Sequence, residues 1–110
     1  FNPIHVNAEY AKPRMGGRIA HGMLTASFMS TLMGMGFTCN STFLEETAKF
    51  RKPVHPNDTI TAKGEITDIS FTTSGRRIVT VTVTITNQKG EVVLEGICKN
   101  MSLQKVTSPA

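Results

Sequence analysis

Gly22-Met23-Leu24-Thr25-Ala26-Ser27-Phe28-Met29-Ser30-Thr31-Leu32-Met33-Gly34-Met35 is the stretch that decides how this chain folds. No Asp, Glu, Lys or Arg interrupts it. Its apolar side chains point in nearly every direction around a helix, which predicts burial on most sides. The polar residues among them, Thr25, Ser27, Ser30 and Thr31, are small. Their hydroxyls can bond back to the helix's own carbonyls, so burial costs little. Gly34 and Gly36 end the run. A helix with no polar face must be wrapped.

The sequence downstream supplies the wrapping. Val79, Val81, Val83 and Ile85 alternate with Thr80, Thr82, Thr84 and Thr86, a period of two that predicts a strand with one apolar face. Strands are expected over Thr42 to Val54, Thr59 to Thr72, Arg77 to Asn87 and Glu91 to Leu103. The turns between them are His55-Pro56-Asn57-Asp58, Thr73-Ser74-Gly75 and Lys89-Gly90. Residues 106–110 read as a frayed tail. Upstream, Asn2-Pro3 is a turn, and Asn7 is placed to cap a short helix over Ala8 to Ala11. Pro13 and Gly16-Gly17 make Lys12 to Arg18 a loop. One long helix followed by an antiparallel meander is an α+β architecture, with a curved sheet wrapped around the helix.

The 110 residues predict one domain, 1–110. A net charge of +4 comes from 12 basic and 8 acidic residues, and the basic ones cluster at most in pairs. Six Phe, one Tyr and no Trp give no basic stripe with interleaved aromatics, so no nucleic-acid partner is expected. A mild positive bias suits an anionic small ligand. Met23 to Phe37 is too short and too polar to span a bilayer, so no membrane partner is expected either. Cys39 and Cys98 lack metal spacing and read as two reduced, buried thiols, which favours a cytoplasmic location, with an organellar one left open. The three histidines match no metal motif, and no metal is expected.

His5 is the first candidate for chemistry. Pro3 fixes the turn before it, and histidine titrates near neutrality, which suits general acid/base work. Gly22 is the second. Its N–H falls in the first turn of the long helix, where a thioester carbonyl would be polarised and an enolate stabilised. His21 is read as a capping or packing residue beside it. His55 reads as an exposed turn residue. Glu45 and Glu46 lie in the first strand, where one can face the core side, but solvated faces are the usual home of glutamate.

Phe1-Asn2-Pro3-Ile4-His5, Tyr10-Ala11, Arg18-Ile19-Ala20-His21-Gly22-Met23-Leu24, and Phe50-Arg51-Lys52-Pro53-Val54 ahead of Asp58-Thr59 together resemble the MaoC-like hot-dog family. Its members include (R)-specific enoyl-CoA hydratases and 3-hydroxyacyl thioester dehydratases. The resemblance implies a trans-2-enoyl thioester of coenzyme A or acyl carrier protein as substrate, no cofactor, and a homodimer or higher oligomer. His5 matches the family's catalytic histidine, and Gly22 the glycine whose N–H binds the thioester oxygen. Ser30 matches a hydroxyl that orients the catalytic pair. Asn2 shapes the turn, and with His21 and Met23 it is expected to contact substrate. Lys12, Arg14, Arg18 and Lys52 are candidates for the phosphates of coenzyme A. The family's catalytic Asp would stand immediately before Phe1, outside this chain, as would a first strand, so the domain reads as N-terminally incomplete. Two other readings share the fold: a thioesterase, which needs a carboxylate on the long helix, and a non-catalytic acyl-thioester-binding module.

Overall fold

The computed structural model describes residues 2–34 and 41–104. Three helices come first: α1 (Pro3–Val6), α2 (Ala8–Met15) and α3 (Gly22–Leu32). Four strands follow: β1 (Ser41–Phe50), β2 (Thr61–Phe71), β3 (Arg77–Thr86) and β4 (Val92–Ser102). The expectations for Gly36, Cys39 and residues 106–110 lie outside the described residues.

The strands form one antiparallel sheet in the order β1-β4-β3-β2. Gly75 and Gly90 turn the two hairpins at positive φ, where a Cβ would be strained. Residues 51–60 carry the chain from one edge of the sheet to the other. The alternation in β3 resolves as predicted: Val81, Val83 and Ile85 are fully buried on the face that α3 covers. Cross-strand pairing sets Val81 opposite Cys98, Val83 opposite Gly96 and Ile85 opposite Leu94, so β4 presents the same face. Ala26, Met29 and Met33 of α3 complete this core. A Cβ on Gly96 would land on the Thr47 carbonyl oxygen and the Met29 sulfur, so the helix approaches as closely as the strand's backbone allows.

Two expectations about the helices are corrected. α3 is not buried on most sides: Met23 is 71% exposed and Leu24 57%, with Phe28 also exposed. The sheet lies along one side of the helix, and the molecule, 57 × 28 × 18 Å, is only two layers thick. α2 runs through the segment expected as a loop and ends at Met15. Asn7 caps it by accepting from the Tyr10 N–H, as expected. Pro13 removes one N–H, but Arg14 bonds the Tyr10 carbonyl at 2.8 Å and stacks on the Tyr10 ring. Gly16, left-handed at φ 77°, then closes the helix.

Candidate active site

The site is assembled by one side-chain cap and two backbone hydrogen bonds. Asn2 is extended, as the following proline requires, and its side chain accepts from the Ile4 N–H. Pro3 opens α1, where a missing N–H costs nothing. The Ile19 N–H then bonds Ile4 O at 3.0 Å, and the Ala20 N–H bonds Val54 O at 2.7 Å. These ties hold α1, the entry to α3 and the segment after β1 together, with His5 between them.

The His5 side chain is oriented by one hydrogen bond. Its Nδ1 lies 2.8 Å from Ile19 O. A carbonyl only accepts, so this partner assigns the proton to Nδ1 and leaves the Nε2 lone pair open. The His21 ring stacks on His5, with centroids 4.0 Å apart and planes at 28°.

His21 is also the residue that precedes α3, and it makes no side-chain cap. The first bonds of the helix run from Leu24 N–H and Thr25 N–H to His21 O. The N–H groups of Gly22 and Met23 come earlier and have no helical acceptor. The start of α3 is therefore an uncapped positive helix end. Phe50 explains why residue 22 is glycine in structural terms. A Cβ there would lie 3.0 Å from the Phe50 ring.

His5, Gly22 and Thr25 line one cavity of about 270 Å³, with Ile19, Phe50 and Val54 among its apolar walls. That is roughly nine times the ~30 Å³ a water occupies in the liquid, room for a short acyl thioester end. A histidine lone pair and free helix N–H groups on one apolar pocket can take a proton and hold a developing oxyanion.

The other expected site residues fall elsewhere. Ser30 sits on the exposed side of α3 and does not line this cavity, and neither does Met23. Asn2 is exposed and acts as the α1 cap. His21 touches the site through its ring stack on His5. Of the four candidate phosphate ligands, Lys52 does line this cavity but is paired with Glu91, Arg14 is held by Tyr10, and Lys12 and Arg18 are exposed.

One residue departs from its expected role. His55 is half-buried rather than an exposed turn residue: its Nε2 lies 2.6 Å from Met15 O, and it packs under Gly16 and Gly17. Glu46 is exposed, as expected of a strand glutamate, although it pairs with Cys98 across the strands and partial burial raises its carboxyl above the usual range. Burial, with Glu46 adding repulsion, pushes the Cys98 thiol up to about 11, so it stays protonated. Thr25 and Phe50 were missed as site residues. Thr25 stands one turn from Gly22, and that spacing is the signal that could have found it. Among the described residues no group of His, Cys, Asp and Glu could hold a metal, and no helix is long and apolar enough to cross a membrane.

Comparison with known proteins identifies the family and the fold. The family model described as MaoC like domain matches residues 1–90. An (R)-specific enoyl-CoA hydratase of Rhodospirillum rubrum is 37% identical over 97 residues, covering 86% of this chain and 65% of the relative. An (R)-specific enoyl-CoA hydratase of Aeromonas caviae is 34% identical over 98 residues, covering 87% and 71%. The solved (R)-hydratase from A. caviae involved in PHA biosynthesis superposes with a TM-score of 0.80 at 31% identity, over 94% of this chain and 77% of that one. The chain spans about two thirds of the length of the curated relatives it matches. On its sequence and on its layer of sheet and helix alike, the chain belongs to the MaoC-like family and carries an α+β hot-dog fold.

Proposed function

We propose that this domain adds water to trans-2-enoyl thioesters of coenzyme A or acyl carrier protein, giving (R)-3-hydroxyacyl thioesters, and catalyses the reverse dehydration. One observation carries the reading: the open Nε2 of His5 and the uncapped N–H groups at Gly22 belong to the same apolar pocket. The names of the two hydratase relatives support it. The thioester carbonyl would sit at the Gly22 N–H. His5 Nε2 takes a proton from water as the water oxygen bonds to C3. The electron pair of the C2–C3 double bond moves toward the thioester oxygen, where the helix end stabilises it. A proton is returned to C2, so the protein ends unchanged and no cofactor takes part. A thioesterase would need a carboxylate on α3, and Gly22–Leu32 carries none.

The same reading includes a pair of identical chains. Ile66, Ile69 and Phe71 on β2 join Leu24 and Phe28 on α3 as apolar side chains left exposed, more than a lone domain usually leaves open. Light scattering on the purified protein should return twice the chain mass. A cytoplasmic location belongs to this reading too, since the unpaired Cys98 thiol suits a reducing compartment; fractionation of the cells that make it is the check. The activity itself is tested with crotonyl-CoA, followed as loss of the enone absorbance. Absence of turnover by the natural full-length protein would sink the proposal.

A further inference from the structure

Thr25 is 5% exposed, yet its hydroxyl has no hydrogen-bond partner among the described residues. Its neighbours on α3 behave differently. Ser27 donates to Leu24 O at 2.6 Å, and Thr31 to Ser27 O at 3.3 Å. Those two hydroxyls are closed onto the helix, as is usual for Ser and Thr within helices. Thr25 instead borders the cavity shared by His5 and Gly22. The Thr25 oxygen is open to this cavity rather than sealed inside the protein, so a molecule in the cavity can meet it. A ligand atom in the cavity can replace water as its partner.

The helix geometry says which atom. Thr25 lies three residues beyond Gly22, a rise of about 4.5 Å. In the reading above, the Gly22 N–H holds the oxygen on C1. The second oxygen of a 3-hydroxyacyl thioester is on C3, two carbons away, a separation of the same order. The other polar side chains at this cavity are spoken for: Arg51 pairs with Glu95, Lys52 with Glu91, and His5 Nδ1 with Ile19 O.

We infer that Thr25 is a positioning residue whose hydroxyl binds the oxygen at C3. It donates to the 3-hydroxyl of the hydroxyacyl thioester and, in the other direction, holds the water that His5 deprotonates. This rests on placing the thioester at Gly22, as proposed above.

The test compares two ligands that differ by that one oxygen. Dissociation constants for (R)-3-hydroxybutyryl-CoA and butyryl-CoA are measured by calorimetry on the wild type, Thr25→Val and Thr25→Ser. Thr25→Val keeps the shape and removes the hydroxyl. It should weaken the hydroxylated ligand about tenfold, the scale of one net hydrogen bond, and leave butyryl-CoA unchanged. Thr25→Ser should restore the preference. In turnover, the KM for 3-hydroxybutyryl-CoA should rise in Thr25→Val. Equal weakening of both ligands, or no weakening of either, overturns the assignment. Turnover of crotonyl-CoA with no such preference overturns Thr25 alone. No binding of either thioester to the wild type overturns the thioester placement and this inference with it.

Discussion

The centre of the sheet and the pocket at the start of α3 use the same helix in opposite ways. At the centre, Met29 and Met33 meet Val81, Val83, Ile85 and Leu94, all fully buried apolar side chains. One turn from that packing, the pocket leaves His5 Nε2, the Gly22 N–H and the Thr25 hydroxyl without protein partners among the described residues. The first region spends its interactions on stability. The second leaves them open to the cavity, where water or a ligand can meet them. The two sets of residues should therefore be separable by mutation.

The largest expected effect is on the pocket side. His5→Ala should lower kcat for crotonyl-CoA by about 10²–10⁴-fold, the usual contribution of a general base. His5 is only partly buried, so the thermal transition should stay close to that of the wild type. A variant that loses its fold along with its activity would break the separation, because it would make His5 part of the scaffold.

Met29→Ala is the converse. It removes a fully buried side chain that fills the space above Gly96. It should cost about 2–5 kcal/mol of stability, read from denaturant unfolding. Turnover per folded molecule should be nearly unchanged. A fall in kcat as large as that of His5→Ala would mean that the packing of α3 sets the pocket's geometry directly.

How much of each region could be read from the sequence follows the same division. The Val–Thr alternation of β3 specifies a strand, its inward face and, with the Lys89-Gly90 turn, its hairpin partner, because a period of two depends only on neighbours along the chain. The site's histidine and glycine were legible through a family motif. The exposure of Met23 and Leu24 was not, since it depends on how much of the helix one sheet can cover. The role of Thr25 was hidden for a related reason. Composition marks it as one of four small hydroxyl residues on α3, and only the three-dimensional arrangement shows that two of them bond the helix while Thr25 opens on the pocket. His55 looked like a solvent-facing turn residue because its partner, Met15 O, lies forty positions away in sequence.

That turn supplies the smallest effect and the sharpest limit on the separation, since it is scaffold that touches the site's neighbourhood. Asp58 accepts from the His55 N–H at 2.9 Å and from Gln88 Nε2 at 3.0 Å, tying the crossover after β1 to the β3–β4 hairpin. The Gln88 hydrogen bond, then the His55 N–H, hold its carboxyl below the ordinary range. A carboxyl with a lowered folded pKa contributes stability above its unfolded pKa and loses that contribution as the pH falls through the folded value. Asp58→Asn turns an NH₂ toward one of the two donors, so the variant should melt a few degrees below the wild type at pH 7. The difference should be no more than about 1 kcal/mol, the scale of one net hydrogen bond. It should shrink as the pH falls below the carboxylate range, because the wild type then protonates Asp58 and loses the same bonds. A gap that persists unchanged to pH 3 would show that shape, rather than charge, holds this turn against α2. In either case turnover at pH 7 should be unaffected, because Asp58 reaches the pocket only through backbone that His55 and Val54 already fix.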